Sequence, residues 1–525
     1  MDLSELGSLT VGEVLRRRAA EHPDKEFVIY GEKRLSYRAI DSAADAFAAA
    51  LQEWGIGRGD PVAVLLPNSA AFIITLFAAA RIGAPLVPLN IRYRHHELDF
   101  MLNNSRARAL VVASTFAGFD YTRMLDELRA KLPHLQRILT VGGGREDFLS
   151  FERVLDEYAG RRPAEPPLEQ QEDIFTILYT SGTTGTPKGA MLSHANVVCN
   201  AIAMAEALEW TADDTLGLFV PMFHVFGITP SILSATVAGS RMVILENYTA
   251  EAALQLIERE RITIHHGVPT MFILELNHPN FSQYDLSSLR TGIIAAAPCP
   301  VEIVRRIRTE MGCNVCVGYG LTETSPCLTI TRFDDSDQIR SETVGRALPG
   351  IEIKIVDDQR REVPHNTVGE LAARGYPVMK GYFEQPEATR AAIDDEGWFY
   401  TGDLATIDEQ GYIRIVGRKK EMIIRGGFKI YPREIEEIYY AHPKVQEVAI
   451  VGVPDPVLGE RAYACIKLRE GLSATAEDLL EYVRGRVADY KVPDKVIFVE
   501  QFPMTASGKI RKVYMAEQLA AGASF

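Results

Sequence analysis

Tyr179-Thr-Ser-Gly-Thr-Thr-Gly-Thr-Pro-Lys-Gly189 follows a largely apolar run, Ile174 to Leu178, and gathers three glycines, five aliphatic hydroxyls and one lysine. Glycines let backbone N–H groups turn toward an anion, and the hydroxyls and Lys188 add donors, so this composition suits polyphosphate. The ATPase loop G-x-x-x-x-G-K-[ST] does not fit. Pro187 stands where the glycine before the lysine is needed, and Gly189 stands where a magnesium-binding Ser or Thr is required.

Outward from that loop, the chain of 525 residues is too long for one ordinary core and predicts two or more domains. A hydrophobic content of 47% and a charged content of 24% are those of a globular protein in water. The net charge of −14 argues against nucleic acid or anionic lipid as a general partner, so an anionic substrate must meet a local cluster of donors. The acidic start Met-Asp-Leu-Ser-Glu is no secretory signal, and the most lipid-like run, Ala70 to Leu89, is broken by Arg81, Gly83, Pro85 and Pro88. Stable membrane anchoring is therefore not expected. Six cysteines in so long a chain suit a reducing cytoplasm. Cys313-x-x-Cys316 has no second pair of that spacing and reads as part of a buried strand. His265-His266 and His95-His96 lack a third ligand in sequence and read as packing or hydrogen-bonding residues.

Helix-like and strand-like segments alternate along the first four-fifths, which predicts layered α/β sheets. Thr10 to Glu13 reads as a capping box, Ser36 opens a helix stopped by Gly55, and Val62–Leu66 is a buried strand followed by a helix from Ser69 to Ile82. Further strands are expected at 111–112, 138–141, 242–245 and 262–264. The basic, glycine-ended stretch Gly417-Arg-Lys-Lys-Glu-Met-Ile-Ile-Arg-Gly-Gly427 marks a change of character. Beyond it, a helix opened by Pro432 and stopped before Pro443, strands at 448–453 and 462–468, a helix over 476–487 and a strand at 496–499 predict a small α+β unit.

Five other stretches carry chemistry. Gly318-Tyr-Gly-Leu-Thr-Glu323 offers a flat ring for a base, a hydroxyl for phosphate and a hard carboxylate oxygen for magnesium. Tyr400-Thr-Gly-Asp-Leu404 sets a carboxylate on a tight turn, shortly before Arg418. Pro503-Met-Thr-Ala-Ser-Gly-Lys-Ile-Arg511 ends a loop in a lysine. Ala295-Ala-Ala-Pro298 is a small-residue turn, and Pro221-Met-Phe-His-Val-Phe-Gly227 is an aromatic segment with one histidine.

Taken in their order along the chain, and over nearly its whole length, these stretches resemble the signatures of the acyl-adenylate-forming (AMP-binding) enzymes, which include acyl-CoA synthetases, peptide-synthetase adenylation domains and firefly-type luciferases. The resemblance implies a large N-terminal domain, residues 1–418, of layered α/β subdomains with a distorted β-barrel. A small mobile α+β C-terminal domain, residues 419–525, would turn about a hinge at Lys420. It implies that Thr180, Ser181, Gly182, Thr183, Thr184, Gly185 and Lys188 cradle the phosphates of ATP. Ala296 and Ala297 would lie against adenine, and Gly318, Tyr319 and Gly320 would carry the stacking ring. Thr322 would bond the α-phosphate and Glu323 would hold Mg2+. Asp403 and Arg418 would bind the ribose, and His224 would stand near the substrate carboxylate. Lys509 would insert between carboxylate and α-phosphate during adenylation, then withdraw so that CoA reaches the site past Gly426 and Gly427.

No carrier-protein domain follows the small unit, which favours CoA as acceptor over a stand-alone adenylation enzyme loading a carrier protein. Thr322, Glu323 and Lys509 together speak against a merely adenylate-binding protein, and a luciferase-type oxidation shares the fold. Gly267-Val-Pro-Thr-Met-Phe-Ile-Leu-Glu-Leu276 and Asp285-Leu-Ser-Ser-Leu-Arg-Thr-Gly292 look most like medium-chain fatty acyl-CoA synthetases. The phenylalanines and Met222 also suit an aryl or alicyclic acid. A homodimer is compatible with the sequence, which does not specify an oligomeric state.

Overall fold

The computed structural model describes residues 4–143, 147–180, 187–297, 299–504 and 510–522. The chain divides into two compact units, Met1–Ile353 with Ala373–Phe399, and Lys354–Ala372 with Tyr400–Phe525. The composition break near residue 420 lies inside the second unit.

The first unit is layered α/β. One of its sheets, among the described residues, runs in the order Gly381–Tyr382, Lys188–Ser193, Ile174–Thr180, Leu86–Pro88, Val62–Leu65, Ala109–Ala113, Arg137–Val141, Leu149–Ser150. The inner parallel strands Val62–Leu65 and Ala109–Ala113 are buried along their whole length, which is why they read as unbroken apolar runs. The Ser69 hydroxyl accepts from the Phe72 N–H and opens the helix Ala70–Arg81, every residue of which is buried. The lipid-like run is thus a core helix followed by the buried strand Leu86–Pro88, and no helix among the described residues is long and apolar enough to cross a membrane. Thr10 and Glu13 form the expected capping box of helix Val11–Glu21.

The second sheet of this unit runs Arg346–Ala347, Cys327–Ile330, Asn314–Gly320, Thr291–Ile294, Ile264–His265, Thr215–Leu218, Arg241–Ile244, Glu26–Tyr30, Lys33–Ser36. The strands from Thr215–Leu218 to Asn314–Gly320 are mutually parallel, so their carboxyl ends share one edge. Segments 221–227, 295–297 and 321–324 leave from that edge, where open α/β sheets bind ligands. The strand expected at 262–264 forms at Ile264–His265 instead. Thr263 turns its hydroxyl sideways, accepting from the Thr215 N–H at 3.0 Å and donating to Asp214 at 2.7 Å.

Cys313 and Cys316 are buried at the Asn314–Gly320 strand, and burial pushes the Cys316 thiol up to about 12. All six cysteines are free, and no group of three metal-ligating side chains occurs among the described residues. His265 Nε2 lies 2.9 Å from Glu275 and His266 Nε2 3.1 Å from the Pro230 carbonyl, so both are hydrogen-bonded core residues.

The second unit carries the antiparallel pair Phe399–Ile407 and Ile413–Arg418 on residues 400–418. Beyond it lies a sheet of Phe428–Ile430, Ile423–Arg425, Gly459–Leu468 and Val445–Asp455, with Lys495–Phe498 beside Gly459–Leu468. Helices Pro432–Tyr440, Ala476–Val483 and Lys512–Ala520 complete it. The helix expected to reach Val487 stops at Val483, where Arg484 leaves helical geometry and Gly485 takes a left-handed φ of 77°.

Candidate active site

The hydroxyl- and glycine-rich loop connects two antiparallel strands. Ile174–Thr180 pairs with Lys188–Ser193, Thr180 standing opposite Lys188 and Tyr179 opposite Gly189. Ser181, Gly182, Thr183, Thr184 and Gly185 lie outside the described residues. The hairpin's mouth is fixed by the Tyr179 hydroxyl, which donates to Asn104 Oδ1 at 2.6 Å. Gly189 leaves no room for a side chain, since a Cβ there would come within 2.7 Å of Ile177 Cγ2.

Lys188 Nζ lies 4.9 Å from the centre of the Tyr382 ring, a cation–π contact. The Tyr382 hydroxyl donates to Glu323 Oε1 at 2.9 Å. Tyr382 gets there because Gly381–Tyr382 adds to the outer edge of the hairpin, with Ala190 opposite Tyr382. Burial first, then the Glu323 carboxylate, hold its phenol well above its ordinary pKa, so it remains a donor. Glu323 is buried, and its carbonyl accepts from the Met379 N–H at 2.8 Å. Lys188 and Glu323, expected in separate roles, are thereby brought together by a residue that sequence reasoning did not single out. Tyr382 belongs to a two-residue strand, too short to show a periodic signal.

Thr322 is half-buried at the start of the single turn Thr322–Thr324. The Thr324 hydroxyl accepts from the Leu321 N–H at 2.9 Å and donates to the Pro326 carbonyl at 2.7 Å, fixing that turn. Gly318, Tyr319 and Gly320 end the strand before it. Gly320 faces the crossing backbone, where a Cβ would fall 1.6 Å from the Pro326 carbonyl oxygen. Ala296 and Ala297 follow the neighbouring strand Thr291–Ile294 and are exposed, Ala296 at a left-handed φ of 70°. Ile294 pairs with Val317, so the alanines and the Gly318–Gly320 stretch leave adjacent strands on the same side.

His224 is half-buried in a tight turn; its Nδ1 accepts from the Phe226 N–H at 3.2 Å, and its carbonyl accepts from the Gly227 N–H at 2.9 Å. Gly227 is obligatory there, a Cβ falling 2.2 Å from the Pro221 carbonyl oxygen. Phe226 stacks on His266 with ring centroids 5.9 Å apart.

In the second unit, Asp403 and Arg418 stand opposite each other in register, with Arg418 Nε 3.5 Å from Asp403 Oδ1. The turn before Asp403 is anchored twice. The Thr401 hydroxyl donates to the Leu371 carbonyl at 2.8 Å, and the Gly402 N–H donates to Glu370 Oε1 at 3.0 Å. Glu370 Oε2 accepts from Lys419 at 3.0 Å, tying the turn to the segment that follows Arg418. Lys420 is exposed in the single turn Lys419–Glu421. Gly426 and Gly427, both at positive φ, are the two turn residues between strands Ile423–Arg425 and Phe428–Ile430. Lys509 lies outside the described residues; Met504 and Ile510, on either side of residues 505–509, form an antiparallel bridge.

Residues 15–383 match the family described as AMP-binding enzyme, and residues 434–509 match the AMP-binding enzyme C-terminal domain. Among curated relatives, "Putative acyl-CoA synthetase YngI" of Bacillus subtilis (strain 168) is 42% identical over 539 aligned residues, covering 98% of each chain. The mitochondrial medium-chain acyl-CoA ligase ACSF2 of Homo sapiens is 35% identical, covering 98% of this chain and 88% of its own. The solved structure of the anthranilate CoA ligase AuaEII in complex with anthranoyl-AMP superimposes with a TM-score of 0.89 at 27% identity, covering 100% of both chains.

Proposed function

The chain belongs to the AMP-binding enzyme family and is an AMP-forming acid–CoA ligase, and we propose that it activates medium-chain fatty acids through the residues assembled around Tyr382. The observation that carries this reading is the convergence of Lys188 and Glu323 on one tyrosine, at the mouth of the hydroxyl-rich hairpin. A cation and a carboxylate poised together are what a nucleotide polyphosphate and its counter-ion require.

In the first half-reaction a substrate carboxylate oxygen attacks the α-phosphorus of ATP, the bond to the β-phosphate oxygen breaks, and pyrophosphate leaves. In the second, the CoA sulfur attacks the acyl carbonyl carbon and AMP departs with the electron pair of the broken C–O bond. Thr180 to Gly185 and Lys188 receive the phosphates. Ala296, Ala297 and Gly318 to Gly320 frame the base with Tyr319, and Thr322 meets the α-phosphate. Asp403 and Arg418 take the ribose hydroxyls, and His224 stands by the carboxylate. Lys509 neutralises the approaching anions and then withdraws as the chain turns at Lys420, so that Gly426 and Gly427 border the thiol's path.

Glu323 fits a magnesium site in its donor chemistry, since Mg2+ takes one or two carboxylate oxygens and completes its shell with water and substrate phosphates. Glu323 is a buried carboxylate held in one orientation by Tyr382. When bound, the ion would neutralise phosphate charge that develops as pyrophosphate leaves.

The acid is assigned from the medium-chain ligase relative and from the apolar character of the 219–226 and 267–276 segments. An aryl acid is the second reading, favoured by the likeness to an anthranilate CoA ligase and by the buried Phe219, Met222 and Phe226. Purified protein assayed for AMP release with ATP, Mg2+, CoA and a panel of straight-chain, aryl and alicyclic acids discriminates between them. A best kcat/KM on acids of intermediate chain length is expected. Preference for benzoate-type acids would move the assignment to the second reading, and absence of pyrophosphate exchange with every acid would overturn the ligase reading.

A further inference from the structure

The hinge segment and the base of the Lys509-bearing stretch are joined by one cation. Lys512 Nζ lies 2.7 Å from Glu436 Oε1 and 3.3 Å from Glu421 Oε2, with 19% of its side chain exposed. Burial works against its charge, but the attraction of Glu436 and Glu421 outweighs this and its pKa lies above the ordinary lysine value. The two carboxylates are not equivalent. Glu436 is buried on helix Pro432–Tyr440, and its Oε1 also accepts from the Ile450 N–H at 2.7 Å, so it is fixed to the unit's central sheet. Glu421 belongs to the single turn Lys419–Glu421, and its contact is the longer one. Glu421 and Lys512 line one crevice of about 290 Å3 together with Lys420, Ile423, Val451 and Val513.

Lys512 also begins the last helix, directly after the stretch closed by the Met504–Ile510 bridge and by the Arg511 N–H donating to the Pro503 carbonyl at 2.8 Å. The Gly426-Gly427 hairpin is held by other bonds. The Ile424 N–H donates to Glu460, Arg425 pairs with Asp494, and the Gly426 N–H donates to the Leu458 carbonyl. Lys512, at the base of the Lys509 stretch, therefore makes its ion pairs with the hinge turn and with Glu436, while the hairpin has hydrogen bonds of its own.

Resting on the roles given above to Lys509 and Lys420, we propose that Lys512 is a positioning residue whose bond to Glu421 couples the hinge turn to the base of the Lys509-bearing stretch and serves adenylation selectively.

The test measures the two half-reactions separately, as acid-dependent ATP–pyrophosphate exchange and as conversion of supplied acyl-adenylate and CoA to thioester. Glu421→Gln removes the charge pair while leaving the Glu436 anchor, and should lower exchange ~10-fold with thioester formation within about twofold. Lys512→Met should show the same split with a lower melting temperature, Lys512→Arg should restore exchange, and Glu421→Gln should cost little more in the Lys512→Met background. Equal losses in both half-reactions, or wild-type exchange in a folded Glu421→Gln protein, would overturn the coupling. Lys509→Ala is run alongside. If it too spares exchange, the failure belongs to the Lys509 assignment. If it abolishes exchange while Glu421→Gln does not lower it, the failure belongs to Lys512.

Discussion

Tyr382 donates its phenolic hydrogen to Glu323 across 2.9 Å, while the face of the same ring lies under the Lys188 ammonium. The two contacts can be removed one at a time. Tyr382→Phe keeps the ring and deletes the hydroxyl; a hydrogen bond to a charged group is worth ~1.5–3 kcal/mol, so pyrophosphate exchange should fall on the order of tenfold. The Mg2+ concentration for half-maximal exchange should rise. Tyr382→Leu removes the cation–π contact too, worth ~0.5–2 kcal/mol, and should weaken ATP further. Titrations of ATP and Mg2+ on both variants check this; Tyr382→Phe kinetics within twofold of wild type would show that Glu323 needs no such orientation.

Asp403 depends on an anchored turn, with Thr401 and Glu370 holding the backbone on either side of Gly402. If its carboxylate accepts ribose hydroxyls, Asp403→Asn should raise KM for ATP about tenfold, within the range for hydrogen bonds to a charged acceptor. The KM for the acid should stay nearly constant. Glu370→Gln keeps a carbonyl for the Gly402 N–H but gives up the Lys419 ion pair, and should affect thermal stability more than KM for ATP. Equal sensitivity of the ATP and acid constants in Asp403→Asn would argue against ribose binding.

Much of this arrangement was legible because its causes are local. A capping box at Thr10 and continuous apolar strands are written within a few residues of where they act. The segments on the shared strand edge were also legible as signatures, though in Gly320 the glycine answers first to the Pro326 backbone crossing it. Long-range pairings were not legible. Tyr382 meets Glu323 across 59 residues, and nothing near either residue encodes it. Lys512, set against Glu421 and Glu436, reads in sequence as one more basic residue after Lys509. The short strand at Ile264–His265 begins later than the apolar pattern suggests even though the Thr263 N–H already donates to the Thr215 carbonyl at 2.9 Å, so its bounds are set by its neighbours and not by its own periodicity.

Lys420 occupies a single turn between Arg418 and Ile423, with the Met422 N–H returning to the Arg418 carbonyl at 3.1 Å. Proline there would fix its own φ and restrict Lys419 before it. If the chain turns at this residue between half-reactions, Lys420→Pro should slow thioester formation from supplied acyl-adenylate by more than it slows pyrophosphate release. Lys420→Ala, which keeps the backbone free, should leave the ratio unchanged. Equal slowing of both steps in Lys420→Pro would move the pivot elsewhere.

Two buried histidines set a dependence of stability on pH. Burial holds His194 down to about 4 and His266 down to about 3. His194 opens the helix His194–Ala207, whose amino end disfavours a positive charge, and its Nδ1 accepts from the Val11 N–H at 3.2 Å. His266 accepts from the Ile293 N–H at 3.2 Å and reaches the Pro230 carbonyl. In the unfolded chain both titrate near their ordinary value of 6.5. Below that pH the unfolded state takes up protons that the folded state refuses, so stability is full above pH 6.5 and lost as pH falls toward 4. Between pH 7.5 and 5.5 each histidine should cost ~1.4 kcal/mol, about 3 kcal/mol together. Denaturant unfolding at the two pH values measures the loss, and the difference between wild type and variant isolates the histidines from the carboxylates. His194→Gln and His266→Gln should each reduce the drop by about half of that amount. A pH dependence unchanged in both variants would mean that neither ring is held neutral by the fold.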